Sequence, residues 1–383
     1  MRKRKKILFI TAWYPSDEWP VSGIFVKEHA KSVALFNDVA VIHGMRTPHL
    51  AGKNKTNYWM DHGIRLIQFR YYLPYMPGRN NISPNYFMGV FSSFIRLLRE
   101  GFSPDIIHAH VFTAALPAVI IGRLTGRPVV VTEHWSIFAR HRLRPTDHIQ
   151  ARLALNKADI VLTVSKDLAD ALRSYGISTD IEIVPNTFDT GIFYPPRELV
   201  THKKKRILLV ALLTPIKGID YLFKALVRLK QERDDFILDI VGDGPSSSEY
   251  KSLSEKLGLT KMITFHGLKT KKEIASFMRN ASFFVLPSLW ENMPCVLVEA
   301  MACGLPLVTT RVGGIPEIVD EKMGILVTPG DTDELYKALR YMLDNYNRYP
   351  RSEIAKYAHK NFSLQSVGSK LDSIYSKVIN GRT

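Results

Sequence analysis

Two carboxylates, Glu291 and Glu299, lie in the stretch "LWENMPCVLVEAMACGLPLVTT" that runs from Leu289 to Thr310. Such a pair can serve as general acid and base, accept hydrogen bonds from a ligand's hydroxyls, or be ordinary surface charge. Local structure decides among these. The apolar run "SFFVLPS" before the pair has the length of a strand, Pro294 suits a first helical position, Asn292 or Met293 a cap, and Gly304 with Pro306 a stop. Glu291 then belongs to the loop and Glu299 to the second turn of the helix, with the helix amino end between them. That end carries unpaired N–H groups and favours a phosphate. Carboxylates beside an anion site repel the anion unless they address neutral hydroxyls, as on a sugar or a ribose. The plainer alternative is that Glu291 caps backbone groups and Glu299 is a solvated helix charge.

Short apolar runs of strand length alternate with amphipathic helix-length segments along the chain, the pattern of parallel sheets covered by helices, so the fold class is α/β. In the first half, strands are expected at Ile7–Thr11, Val39–His43, Arg65–Arg70, Ile106–His110, Val129–Thr132 and Ile160–Val164. Helices fit Gly23–Leu35, Tyr86–Glu100, Thr113–Thr125 and Lys166–Tyr175. The segment "IEIVPNTFDTGIFYPPRE" breaks the rhythm, and "KKKR" then leads into the strand "ILLVAL", which reads as a linker between two similar units. The second unit offers strands at Ile207–Leu212, Ile237–Val241, Ile263–His266, Ser282–Leu286, Pro306–Thr309 and Gly324–Val327. Its helices begin near Gly218, Glu249, Lys271, Pro294, Pro316 and Thr332. The expected domains are residues 1–190 and 191–362, with a last helix at about 363–383 that packs back on the first. Ligands of doubly wound sheets bind at the carboxyl ends of strands, so a cleft between two facing domains is the expected site.

A chain of 383 residues, 46% of them apolar, suits two ordinary domains. Its apolar runs fall well short of the roughly 20 residues that cross a bilayer. The opening "MRKRKK" reads as a basic tail, not a signal peptide, because the apolar run after it stops at Thr11. The two cysteines, Cys295 and Cys303, are expected on one helix about 12 Å apart along its axis, too far to bridge. A reducing, cytoplasmic setting follows. The formal charge of +16 asks for a polyanionic neighbour, whether nucleic acid, anionic lipid or phosphorylated substrate. With no zinc-finger spacing, RNP-type stretch or basic zipper, nucleic acid is set aside. The clusters Arg140–Arg144 and Arg2–Lys6 either meet anionic lipid or are solvated, and Tyr86–Glu100, with Arg96 and Arg99, is a candidate interfacial helix.

Eleven stretches, in order, carry a resemblance: "YPSDEWPVSGIFVKEHA", "PDIIHAH", "PVVVTEHW", "ADIVLTVS", "VPNTFDTGIFYP", "LLTPIKGIDYLFKAL", "LDIVGDGP", "ITFHG", "VLPSLWENMPCVLVEAMACGLPLVTT", "VGGIPEIV" and "GILVTPGD". Over nearly its whole length the chain resembles the family 4 retaining glycosyltransferases, whose GT-B fold has two facing Rossmann-like domains and a deep cleft. The resemblance implies that Glu291 meets the transferred sugar's hydroxyls, that Glu299 meets the nucleotide's ribose, and that the helix amino end receives the diphosphate. It assigns Lys217 to the diphosphate and Asn292, Met293, Cys295 and Val296 to the donor site's wall. Gly23 would let backbone approach phosphate, Gly242 would shape the site near the nucleotide, and His266 with Gly267 would frame the base. His134 would face the transferred sugar from the first domain, with Trp13, Tyr14 and Trp135 on the acceptor side. The chain departs from the family's pattern in three places. Pro294 stands where many members have glycine, Ser22 precedes a single glycine instead of a second one, and Leu212 replaces an arginine. Gly313 and Gly314 are either a hinge or tight packing.

The implied activity is a metal-independent, retaining hexosyl transfer from a nucleotide-diphosphate sugar, with a UDP-sugar favoured, to a glycan or lipid-linked acceptor. Bacterial surface polysaccharide or glycolipid synthesis is the expected setting. The enzyme would need no cofactor, would bind no nucleic acid, and would work in the cytoplasm or peripherally on the inner face of the membrane, against its anionic surface. A nucleotide-sugar epimerase, a pyridoxal-phosphate-dependent phosphorylase and a non-catalytic sugar-nucleotide binder are the alternatives.

Overall fold

The computed structural model describes residues 4–47, 56–72, 84–198 and 202–381, so Arg2 and Lys3 of the basic tail lie outside the described residues. The chain divides into two compact units, Met1–Thr187 with Leu364–Thr383, and Phe188–Ser363.

The first unit runs β1 (Lys6–Thr11), α1 (Ile24–Ala34), β2 (Asp38–Thr47), β3 (Thr56–Asp61), β4 (Ile64–Tyr72), α2 (Pro84–Arg99), β5 (Ile106–His110) and α3 (Phe112–Thr125). It continues with β6 (Val129–Glu133), α4 (Pro145–Leu155), β7 (Ile160–Thr163), α5 (Lys166–Ser174) and β8 (Ile181–Ile183). Its eight strands are ordered β3-β4-β2-β1-β5-β6-β7-β8. Pairing is parallel except at the edge, where β3 runs antiparallel to β4. Burial on both faces explains why β1 and β5 are continuous apolar or histidine-bearing runs. β3, absent from the sequence reading, is "TNYWMD" with five exposed positions, so neither alternation nor an apolar run marks it. His62 and Gly63, at φ 51° and 79°, form the two-residue turn into β4. α4 was also missed. Ile149 and Leu153 face solvent while Asp147 is buried, so no apolar stripe reveals the helix.

The last helix, α12 (Leu364–Asn380 in chain order), belongs to this unit. Val367, Leu371, Ile374 and Tyr375 join the core formed by β1, β2 and α1. Asp372 ties it down, accepting from Lys5 Nζ at 2.5 Å and Asn37 Nδ2 at 3.0 Å. The Tyr375 hydroxyl is 2.7 Å from His108 Nδ1 on β5. Gly368 lets the helix lie directly on α1, since a Cβ there would stand 2.2 Å from the Ser32 carbonyl oxygen.

The second unit contains β9 (Lys205–Val210), α6 (Ile219–Glu232), β10 (Phe236–Val241), α7 (Ser247–Lys256), β11 (Ile263–Phe265), α8 (Lys271–Asn280) and β12 (Phe283–Leu286). α9 (Cys295–Ala302), β13 (Leu307–Thr310), β14 (Gly324–Val327), α10 (Thr332–Asn345) and α11 (Arg351–Phe362) complete it. Six parallel strands are ordered β11-β10-β9-β12-β13-β14, and α6 and α10 cover the core side chains of β9, β10 and β12. The helix expected near Pro316 is only a three-residue 3-10 turn, Ile315–Glu317. Its amino side is held by the preceding glycines, as described below.

Gly368→Ala is expected to destabilise the chain by about 1–3 kcal/mol, because the methyl meets backbone that cannot rotate away. Urea denaturation measures this. An unchanged midpoint would mean that α12 and α1 can separate at no cost.

Candidate functional site

The loop 287–294 joins β12 to α9. Pro294 is the cap residue of α9, not its first helical residue, and the helix starts at Cys295; this corrects the cap expected at Asn292 or Met293. The reason is local, since Pro294 has an extended ψ of 122°. Glu299 is still on the second turn, and no side chain caps the helix. The Leu297 amide donates to the Pro294 carbonyl at 3.1 Å, and the positive end of the helix dipole lies at Cys295.

Two close backbone approaches fix this loop. Gly218, at φ 64°, has no Cβ where one would stand 2.2 Å from the Pro287 carbonyl oxygen, and the Leu289 amide donates to the Ile216 carbonyl at 2.8 Å. On the other side a Cβ on Gly313 would stand 1.8 Å from the Glu291 carbonyl oxygen, and the Gly314 amide donates to the Asn292 carbonyl at 2.7 Å. Gly313 and Gly314 are thus tight packing against the glutamate loop.

These contacts bring Lys217 to Glu291. Lys217 Nζ donates to Glu291 Oε1 at 2.6 Å, and Ser288 Oγ donates to the same oxygen at 2.7 Å. Glu299, only 4% exposed, has its own lysine, with Lys271 Nζ donating to Oε1 at 3.1 Å. Sequence reasoning missed Lys271. A capping box between Thr270 and Glu273 starts α8 and places Lys271 at its first position. "KTKKE" offers three lysines and no signal to prefer one. Leu212, where the family pattern has arginine, is half exposed.

Nearby strand ends are stitched together in the same way. Gly242, at φ 130°, sits where a Cβ would be 1.9 Å from the Ala211 carbonyl oxygen, and its amide donates to the Gly267 carbonyl at 2.9 Å. His266 turns its imidazole to Asp239, with Nε2 at 2.7 Å from Oδ1, and Arg206 completes the pair from 2.8 Å. Cys295 and Val296 are half-buried on the first turn of α9, behind the buried Asn292 and Met293.

Gly23, Trp13, Tyr14, His134 and Trp135 form a group of their own in the first unit. Gly23 caps α1 at φ 63°, where a Cβ would come within 2.3 Å of the Trp13 carbonyl. Tyr14 is buried, and its phenol is shifted up by that burial. The "TEHW" turn hangs on Glu133, a residue that sequence reasoning passed over. Its fully buried carboxylate accepts from the amides of Phe112, His134 and Trp135 at 2.8, 2.9 and 2.8 Å. Burial pushes this carboxyl up to about 7 while the three amides pull it back. His134 stacks on His110 with ring centroids 5.4 Å apart, and its Nε2 is 3.1 Å from His110 Nδ1. Ring nitrogens of His29, His110 and His134 lie within 4.8 Å of one another, the one set among the described residues able to hold a metal ion. Two of these rings already turn a nitrogen towards each other, and His29 Nε2 faces the Pro185 carbonyl at 3.0 Å.

Burial lowers the pKa of His29 and His43 to about 4 and depresses His108, His110 and His134 as well. Between pH 4 and 6.5 the unfolded chain binds more protons at these rings, so their stabilisation is present at neutral pH and lost on acidification. His29 and His43 each lose up to ~2 kcal/mol by pH 5, and His108, His110 and His134 act in the same direction. Glu133, with a raised value, binds its proton in the folded state and opposes this trend. Five rings outweigh one carboxyl, so urea melts followed by tryptophan fluorescence should show lower stability at pH 5 than at pH 7. A flat profile would contradict neutral buried imidazoles.

Residues 193–361 match the family described as Glycosyl transferases group 1, and residues 33–191 match Glycosyltransferase Family 4. The MMP alpha-(1->4)-mannosyltransferase of Mycolicibacterium hassiacum is 31% identical over 237 residues, covering 60% of this chain and 57% of that protein. The D-inositol 3-phosphate glycosyltransferase of Corynebacterium jeikeium is 27% identical over 321 residues, 76% of each. The crystal structure of Anabaena HepE in complex with UDP superposes with a TM-score of 0.74 at 20% identity, covering 97% of this chain and 100% of that one, a likeness of fold. With two parallel-sheet units and matched models along most of its length, this chain belongs to the group 1 glycosyltransferases of GT-B fold.

Proposed function

We propose that this glycosyltransferase moves a hexosyl group from a UDP-sugar to an acceptor hydroxyl with retention of configuration. The observation that carries the reading is the Lys217–Glu291 pair beside the uncapped amino end of α9, with Glu299 on that helix's second turn. The diphosphate lies at the helix end, Glu299 accepts from the ribose and Glu291 from the transferred sugar. As the sugar C1–oxygen bond breaks, its electron pair goes to the diphosphate, where Lys217 and the helix amides stabilise the growing charge. The acceptor oxygen bonds to C1 on the same face, and its proton passes to the departing phosphate oxygen. With lysine and helix end supplying positive charge, the reading requires no metal ion, and activity should survive EDTA.

The same reading puts the enzyme peripherally on the anionic inner face of a bacterial membrane, acting on a glycan or lipid-linked acceptor in surface polysaccharide or glycolipid synthesis. No helix among the described residues is long and apolar enough to cross a membrane. α2 instead exposes Met88, Ile95 and Leu98 beside Arg96 and Arg99, and Arg96 lies 5.1 Å from the ring centre of Tyr58 on β3, next to the exposed Trp59 and Met60. An apolar strip edged with arginine suits an anionic lipid surface.

Lys217→Ala should lower kcat/KM about 100- to 1,000-fold, as when a charge-stabilising donor is removed. Glu299→Gln should weaken UDP binding about tenfold, or ~1.4 kcal/mol by calorimetry, whereas Glu291→Gln should slow turnover and leave UDP affinity nearly intact. Equal losses of UDP affinity in both variants would refute this division of roles, and sugar interconversion without an acceptor would mark an epimerase. Vesicles containing phosphatidylglycerol should sediment the protein, and vesicles of phosphatidylcholine alone or the Ile95→Asp variant should not. Equal sedimentation in all three would remove the membrane from the reading.

A further inference from the structure

We propose that His29, His110 and His134 bind a divalent transition-metal ion of the zinc class in the first unit, and that an ion held there inhibits sugar transfer by occupying the His134 ring. The inhibition rests on the transferase reading above; the binding of the ion does not. The three rings come from three places in the fold: His29 from the middle of α1, His110 from the carboxyl end of β5 and His134 from the turn after β6.

Their centroids form a triangle with sides of 5.4, 5.5 and 5.9 Å. Imidazoles bound tetrahedrally to zinc through nitrogens at about 2.0–2.1 Å stand with those nitrogens about 3.3 Å apart and their ring centres about 5 Å apart. His110 Nδ1 and His134 Nε2 already lie 3.1 Å from each other, and one nitrogen of each of the three rings falls within 4.8 Å of the other two. Small turns of the rings close the remaining gap.

Hydrogen bonding selects the ligand atoms. A carbonyl only accepts, so Pro185 at 3.0 Å holds the His29 proton on Nε2, and Nδ1 keeps its lone pair. That nitrogen is buried and has no hydrogen-bond partner. A ring fixed through one nitrogen by a backbone carbonyl and bare at the other is the arrangement of a metal-bound histidine, whose outer N–H sets the tautomer. His110 Nε2 is likewise buried without a partner. Moving the one proton between His110 Nδ1 and His134 Nε2 to the outer nitrogen of its own ring leaves two facing lone pairs, and both rings stay neutral.

The donor set selects the ion. Three imidazoles suit zinc, cobalt(II), nickel(II) or copper(II) and give a hard cation such as magnesium no oxygen ligand. Two buried carboxylates stand close enough to offset the incoming charge: Glu28, which acts electrostatically on His29, and Glu133, which accepts from the His134 amide. His29 and His110 are sealed from solvent, whereas His134, 9% exposed, gives an ion its way in and leaves room for water as the fourth ligand.

The test adds zinc, cobalt(II) or magnesium chloride to the full chain, free of any histidine tag, and follows calorimetry, visible absorption and thermal melting. One equivalent of zinc or cobalt should bind and raise the melting temperature, cobalt should show the intense bands of tetrahedral coordination, and magnesium should do none of this. His29→Gln, which keeps a donor for the Pro185 carbonyl, should weaken zinc binding by more than about 100-fold, beyond the roughly 10- to 100-fold cost of losing an outer partner. His62→Asn, at an exposed ring, should bind zinc as before. Cobalt bands that are octahedral or absent, or zinc affinity that survives His29→Gln, would overturn the site; the cobalt spectrum of the unmutated chain decides even where a variant fails to fold. Zinc should also slow transfer, EDTA should restore it, and His29→Gln should keep its basal rate and resist zinc. If zinc binds at the three rings and transfer is unaffected, the inhibition falls and the site stands. If no donor sugar is transferred in the absence of zinc while zinc still binds, the transferase reading falls alone.

Discussion

The backbone of residues 287–294 lies between two other loops with no room for a side chain on either. The carbonyl oxygens of Pro287 and Glu291 occupy the space where Gly218 and Gly313 would carry a Cβ. Both glycines have positive φ, which a substituted residue would adopt only at a cost of about 1–2 kcal/mol even without the clash. Hydrogen bonds from Leu289 to Ile216, from Gly314 to Asn292 and from Thr310 Oγ1 to the Ser288 carbonyl over-determine the path. The Lys217–Glu291 pair is a result of this arrangement, not its cause. The pair is largely shielded, and the cost of desolvating two charges offsets much of what their attraction gains, so it does not by itself hold three loops in register. The backbone fixes where the lysine and the carboxylate meet, which leaves both side chains available for exchange with a ligand.

The first unit solves the same problem differently. Gly23 again removes a side chain where backbone passes backbone, at Trp13. The turn after β6, however, depends on the buried Glu133, which gathers three amides from two segments. A buried carboxylate is costly unless its acceptor positions are filled, and here the donors are backbone groups that would otherwise be orphaned at the start of α3 and in the turn. Beside it Val111, a β-branched residue, is held at φ 70°, an unfavourable conformation that persists because the amide donates to the Thr132 carbonyl at 2.8 Å. Strain and buried charge both collect where His110, His134 and Trp135 are presented.

What the sequence reveals follows from what burial does to composition. β5 and β14 are buried on both faces or bounded by sharp breakers, and their limits could be read directly as Ile106–His110 and Gly324–Val327. β3 and α4 have no such contrast between faces, and they were missed. At the site, the start of α9 at Pro294 and its stop at Gly304 were legible to about one residue, because both act through local backbone geometry. The pairing of Lys271 with Glu299 was not, because it depends on how α8 packs beside α9 across 28 positions of sequence.

The two glutamates can now be distinguished from an acid/base couple on structural grounds. Such a couple needs environments that differ, so that one carboxyl holds a proton while the other does not. Here both carboxylates are largely shielded from solvent and each accepts from a lysine ammonium, with Glu291 accepting from Ser288 Oγ as well. The two differ further in position relative to the helix end, with Glu291 before the cap at Pro294 and Glu299 inside the second turn. In the proposed transferase the two carboxylates address the hydroxyl-bearing groups on either side of the diphosphate, and the start of α9 between them sets their separation.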